Sequence, residues 1–242
     1  MTNSPDTRER ALHLSRAEAV DIDGAVVAID VLRAFSTAAY AFAAGARHII
    51  LVESVAAALD YKRAHLDVLA LGEERGHRPE GFDFSNSPAA IARADLRGRV
   101  LVQSTSSGTR GVVAARRATR LWCASLVNAS ATAAALRASG LGAPAYVLTG
   151  RADPSQADAG LDDRATAELI EARRCCSTID VGAVRARVAN SAEATRTRAL
   201  GARHAEASDI EHCLDVDRFD FAMEVIRRDG CAVLERVPEP AR

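Results

Sequence analysis

From Ala25 to Gly111 the chain alternates short runs of aliphatic and β-branched residues with alanine-rich stretches of helical period. "AVVAID" precedes "STAAYAFAAGA", and "HIILV" precedes "SVAAALDYKRAH". "VLALG" precedes a long polar loop and "SPAAIARA", and "RVLVQ" leads into a helix from about Thr109. Short, almost wholly apolar runs suit strands covered on both faces, and their recurrence between helical periods is the rhythm of βαβ units. The pattern predicts an α/β fold, a mainly parallel sheet flanked by helices, with a second smaller α/β portion in the C-terminal half.

The alternation continues from "LWCASLV" to "APAYVLTG", followed by the polar loop "GRADPSQADAG" and the helical "DDRATAELIEARRCC". Beyond it the period becomes helical and charged, ending in a predicted strand, "CAVLERV". Helix starts are marked by Ser36 or Thr37, by Ser54, by Ser87 before Pro88 and by Asn128, while Gly45 and Gly140 can close helices. No repeat or low-complexity linker divides the chain. A boundary near residue 125 separates an α/β region, 1–125, from a second portion, 126–242.

The 242 residues are 48% hydrophobic, enough for a substantial core. Lys+Arg 31 against Asp+Glu 32 leaves a net charge of −1, which argues against nucleic acid and anionic membranes as partners and confines anion binding to local sites. Lys62 is the single lysine, so Schiff-base and Walker-lysine chemistry have almost no candidate. Five cysteines without a C-x-x-C pattern read as reduced thiols. The start has no apolar signal core and no stretch is long enough to span a bilayer, so a soluble, cytoplasmic protein is expected. A homo-oligomer is left open.

In a parallel sheet, ligands bind beyond the carboxyl ends of the strands. The first strand ends in "IDVLRAFST", placing Asp30 and Arg33 before a helix: a carboxylate for a hard cation, a guanidinium fork for phosphate. The third ends in "LALGEERGHRPEGFDFSNSP", with Glu73, Glu74, Arg75, His77 and Arg78 in a loop long for its class. His77 is a candidate general acid. The hydroxyl-rich "QSTSSGTRG" follows Val100–Val102. There Ser104, Thr105, Ser106 and Thr109 offer donors, Gly108 permits close backbone approach, and Arg110 adds charge at a helix start. A capped turn bonding its own backbone is the plainer reading of the same residues. Asp162 and Asp163 open a helix after a loop with Arg151, Asp153 and Asp158, where acidic residues ordinarily complement the helix dipole.

Together, "IDVLRAFST", "LGEERGHRPEGFDFSNSP", "VQSTSSGTRG", "SLVNASATA" and "DDRATAELI", in this order, resemble the 2-phosphosulfolactate phosphatase family across about residues 25–175, with a fainter echo in "SDIEHCLDVDRFD". The resemblance implies an enzyme that removes phosphate from 2-phospho-3-sulfolactate with Mg²⁺, in coenzyme M biosynthesis. It implies acidic metal-site positions at Asp30 and Glu73, with Asp163 a third. Asp30, Arg33, Glu73 and Arg110 become the candidate catalytic set. Ser104, Thr105, Ser106, Gly108, Thr109, Arg75, Asn86 and Asn128 become candidate contacts to a small anionic phosphorylated substrate.

The chain departs from that pattern at Phe35, where threonine is usual, at Ser85 for glycine and at Ser107 for asparagine. These changes leave the physiological substrate open and keep a non-catalytic binder of phosphorylated or sulfonated metabolites as the alternative. The D-x-D-x-[TV] phosphatase signature has only a poor match, "DIDGA" at Asp21, which precedes a strand.

Overall fold

A computed structural model of the chain describes residues 11–238 except 154 and 156–158. In chain order its strands are β1 (Leu12–Leu14), β2 (Ala25–Ile29), β3 (His48–Val52), β4 (Val68–Gly72), β5 (Phe84–Ser85), β6 (Val100–Ser104), β7 (Arg120–Ala124), β8 (Ala145–Leu148), β9 (Phe221–Arg228) and β10 (Cys231–Pro238). The helices are α1 (Ala34–Ala43), α2 (Val55–Ala64), α3 (Pro88–Ala92), α4 (Gly108–Ala114), α5 (Ala129–Ser139), α6 (Leu161–Arg174), α7 (Val181–Ala189), α8 (Ala192–Arg198) and α9 (Asp209–Cys213). The α/β class predicted from the alternation holds.

The strands form one sheet in the order β1-β8-β2-β7-β9-β10-β3-β6-β4-β5. Two parallel blocks, β1-β8-β2-β7 and β3-β6-β4-β5, are joined through the antiparallel hairpin β9-β10. Because the hairpin adds three antiparallel pairings, the two blocks run in opposite directions. Their carboxyl ends nevertheless meet: a Cβ built on Gly108, after β6, would lie 2.7 Å from Ala34 Cβ and 2.8 Å from Asp30 Oδ2, after β2. Twist accumulated over the intervening strands is the ordinary means by which distant sheet edges converge.

The β9 segment, "FAMEVIRR", was not legible as a strand because Glu224 interrupts its apolar run. That carboxylate is buried and takes a two-pronged hydrogen bond from Arg120 of β7, at 2.8 and 2.7 Å, so the sheet accommodates the charge.

Residues 34–42 of α1 are all buried, and its alanines let it pack close to its neighbours. Ser36 and Thr37 lie inside this helix, donating their hydroxyls to the carbonyls of Val31 and Arg33. The helix begins earlier than those hydroxyls suggest because the Asp30 carboxylate accepts the Ala34 N–H at 2.9 Å. Ser54 and Ser87 cap α2 and α3 as their positions predict, and Gly140 ends α5 in the left-handed conformation. At the end of β4, Gly72 has φ +144° and a Cβ there would sit 1.9 Å from the Ser104 carbonyl oxygen, so glycine is required where β4 and β6 end together. Among the described residues no helix is long and apolar enough to cross a membrane.

Candidate active site

A cleft of about 530 Å³ opens where these strand ends converge. The β2–α1 junction contributes Asp30, Leu32 and Arg33, and the loop after β4 contributes Glu73, Arg75, Gly76 and His77. Asn86 and the Ser106–Ser107 turn supply further polar groups, and α8 with the turn after it closes the remaining wall with Glu193, Arg196 and Leu200.

Asp30 is 6% exposed. Its Oδ1 caps α1 through Ala34, and its Oδ2 accepts the Thr149 hydroxyl at 3.3 Å. Burial pushes its carboxyl up to about 7; the Ala34 N–H opposes this, while the charges of Glu73, Asp162 and Glu193 reinforce it. Asp162, buried and also under the influence of Glu193, is carried to about 6. The cleft thus sets the carboxylates of Asp30, Glu73 and Glu193 beside Arg33, Arg75 and Arg196.

Glu73 organises the neighbouring turn. Its Oε1 accepts the Ser106 N–H at 2.6 Å, and its Oε2 accepts the Gly76 N–H at 2.5 Å and the Ser106 hydroxyl at 3.1 Å. Arg75 is held to the same turn, its N–H donating to Ser106 Oγ. With Ser106 fixed, the backbone N–H groups of Ser107 and Gly108 have no partner among the described residues, which leaves two donors for an anion at the start of α4. Gly108 is needed because any side chain there would meet Ala34 and Asp30.

Arg33 is buried, and its Nη1 donates to Asp209 at 2.8 Å and to the His204 carbonyl at 3.0 Å. Its Nε and Nη2 have no partner among the described residues. Asp209, fully buried, also accepts from Ser87 Oγ, Ala89 N and Glu206 N. His77 and His204 meet edge to face across the loops, 4.5 Å between centroids, and burial lowers His204, with His77 adding to the effect.

Other candidates have different surroundings. Arg110 is exposed and does not line the cleft; its Nε reaches the Glu53 carbonyl at 3.4 Å. Thr105 and Thr109 bind each other, each hydroxyl accepting the other's N–H at 3.0 Å, so they rigidify the turn. Ser104 is buried at the end of β6. Asn128, also buried, accepts the Ser125 N–H after β7, outside the cleft. Asp163 lies behind Asp30, its two oxygens taking the N–H groups of Val31 and Gly150, and burial raises it, helped by Asp162 and Asp30. Glu74 and Arg78 are exposed, and Asp158 lies outside the described residues. Phe35, which stands where the family pattern has threonine, belongs to the apolar core rather than the cleft. Ser107 does line the cleft.

Four residues escaped the sequence reading. Arg16, in the loop after β1, braces the Ser106 carbonyl at 3.0 Å and lies near enough to Asp30 to feel its charge. Asp209, Glu193 and Arg196 come from the charged helical stretch, where no strand end marks them.

Among the described residues no three His, Cys, Asp or Glu side chains close into a ready-made metal cage. The available donors are oxygens: the carboxylates of Asp30 and Glu73, and Asn86 Oδ1, which is buried without a partner on a cleft-lining residue. That set fits Mg²⁺, a hard ion that keeps several waters and needs one or two carboxylates alongside a phosphate. Asp163 does not line the cleft and fits as a brace for the β2 end, where its oxygens take the Val31 and Gly150 N–H groups.

The family model described as 2-phosphosulpholactate phosphatase matches residues 12–227. A protein of Bacillus subtilis (strain 168) named "Probable 2-phosphosulfolactate phosphatase" is 30% identical over 212 residues, 87% of this chain and 91% of that one. Proteins of the same name from Thermus thermophilus and Caldicellulosiruptor saccharolyticus are 38% identical over 146 residues and 40% over 111; the first alignment spans 60% of this chain and 59% of its relative, the second 46% of each.

Proposed function

The chain belongs to the 2-phosphosulfolactate phosphatase family, and from that membership as a phosphoric monoester hydrolase we propose a Mg²⁺-dependent enzyme acting on 2-phospho-3-sulfolactate or a related small phosphorylated hydroxy acid. One observation carries the placement of this chemistry. The buried Asp30 carboxylate sits against the Gly108 backbone, beside a turn whose Ser107 and Gly108 N–H groups are unclaimed among the described residues.

The Ser107 and Gly108 N–H groups, the free edge of Arg33 and the side chain of Arg75 grip the phosphoryl oxygens and stabilise the charge they carry as the ester bond breaks. Asp30 and Glu73 hold the Mg²⁺, whose contribution when bound is to polarise the phosphoryl group. Glu73 and Arg16 keep the Ser106 turn in register, so the donors are preorganised. His77 gives its Nδ1 hydrogen to the Arg75 carbonyl at 3.0 Å, so only the doubly protonated ring carries a second hydrogen, on Nε2, that it can deliver to the departing alkoxide, leaving the neutral Nδ1–H ring.

The test is a phosphate-release screen over small phosphorylated acids, with Mg²⁺ and with chelator. Release from 2-phosphosulfolactate that stops on chelation is expected. Tight binding without release would mark a binder, and release indifferent to chelation would remove the metal from the reading.

A further inference from the structure

Deepening that reading and resting on it, we propose that Arg196 recognises a second acidic group on the substrate, a carboxylate or sulfonate beside the phosphate, and that Glu193 positions it.

Among the described residues three arginines line the cleft: Arg33, Arg75 and Arg196. Arg33 is partly committed to Asp209, and Arg75 is tied through its backbone to the Ser106 turn, where the phosphate is expected. Arg196 comes from α8, a separate wall of the cleft, and also borders a smaller cavity of about 260 Å³ that Asp162 and Glu193 line. A phosphate fixed at Ser107 and Gly108 leaves the rest of a small molecule between the Arg33 end and α8.

The geometry of Arg196 suits recognition of a planar or tripodal acid. Glu193 takes Nε at 3.2 Å and also binds Nη2, which fixes the plane of the guanidinium. Nη1 has no partner among the described residues, so one edge of the fork remains for a ligand. The pair is one turn apart on α8 and its side chains are 65% and 31% exposed. An ion pair that exposed is weak, so it orients Arg196 without withholding it from a ligand.

The acidic surroundings supply the selection. Asp30 and Asp162 both feel the charge of Glu193. Arg196 is the arginine that α8 brings to the cleft, set directly beside the Glu193 carboxylate. Lysine could keep the charge but not the planar fork that Glu193 holds.

The experiment compares kcat/KM for 2-phosphosulfolactate, 2-phospholactate and glycerol 2-phosphate, which carry two, one and no further acidic groups. It uses the wild type, Arg196→Gln, Arg196→Lys, Glu193→Gln and the Glu193→Gln/Arg196→Gln double variant. Arg196→Gln should lower the ratio of phosphosulfolactate to glycerol 2-phosphate by about tenfold or more, the loss of one charge-assisted contact. A parallel fall for 2-phospholactate assigns Arg196 to the carboxylate; a fall for phosphosulfolactate alone assigns it to the sulfonate. Arg196→Lys and Glu193→Gln should fall between, and the double variant should match Arg196→Gln because Glu193 acts through the arginine. An unchanged ratio would overturn the proposal. Titration of 3-sulfolactate separates this failure from that of the phosphatase reading. A wild type that binds 3-sulfolactate tightly but releases no phosphate from 2-phosphosulfolactate contradicts the reading, whereas a 3-sulfolactate dissociation constant unmoved by Arg196→Gln contradicts the role of Arg196.

Discussion

Glu73 holds Ser106 by two contacts, the Ser106 N–H on Oε1 at 2.6 Å and the Ser106 hydroxyl on Oε2 at 3.1 Å, thereby tying the loop after β4 to the turn after β6. The cleft exists in usable form because of this tie. In Glu73→Gln one amide edge would present N–H hydrogens to the Gly76 N–H, setting donor against donor. The expected outcome is a loss of about 1.5–3 kcal/mol of stability and a fall in kcat/KM on the order of a hundredfold, read by denaturant unfolding and phosphate release. Wild-type values in both would show that the turn does not depend on Glu73.

Protons and Mg²⁺ should compete in this cleft. Burial carries Asp30 from 3.8 to about 7 and Asp162 to about 6, so the metal-free folded protein binds protons that the unfolded chain has lost. Stability from these groups is complete below about pH 4 and is lost as pH rises toward 7. Thermal melts should show the metal-free protein weakening across that window, with Mg²⁺ raising Tm more at pH 8 than at pH 5.5. Asp30→Asn should flatten the profile and shrink the Mg²⁺ shift; a shift independent of both pH and Asp30 would exclude that carboxylate as a ligand.

Gly108→Ala places a methyl 2.7 Å from Ala34 Cβ and 2.8 Å from Asp30 Oδ2. Neither neighbour is the free end of a long side chain, so the substitution should cost about 1–3 kcal/mol and displace Asp30, with activity falling more than stability. Retention of full kcat would mean that the contact between the β2 and β6 ends has no bearing on turnover.

The Arg33–Asp209 pair is buried on both sides. Asp209→Ala should cost about 3–5 kcal/mol because it strands a buried guanidinium. Adding Arg33→Met should recover part of that stability and none of the activity. A double variant with restored phosphate release would show that Arg33 serves the fold alone.

The sequence exposed the parts of the site carried by strand ends. Asp30, Glu73 and Ser106 follow apolar runs short enough to be read as strands, so their common neighbourhood follows from topology. Which way a side chain faces after the strand was not available from pattern. Arg110 lies in the first turn of α4 and is exposed, and Thr105 and Thr109 spend their hydroxyls on one another. The α8 wall was hidden for a related reason: Glu193 and Arg196, spaced three apart in a charged helix, look like an ordinary solvent-facing pair. The opposed running of the two strand blocks was equally hidden, since it rests on β9, whose buried Glu224 breaks the apolar pattern.

The most direct test follows phosphate release from 2-phosphosulfolactate by phosphorus NMR, with saturating Mg²⁺, for the wild type and for Asp30→Asn. Steady release by the wild type and none above background from a folded Asp30→Asn is the predicted result. Equal release by both proteins would place the chemistry somewhere other than this cleft.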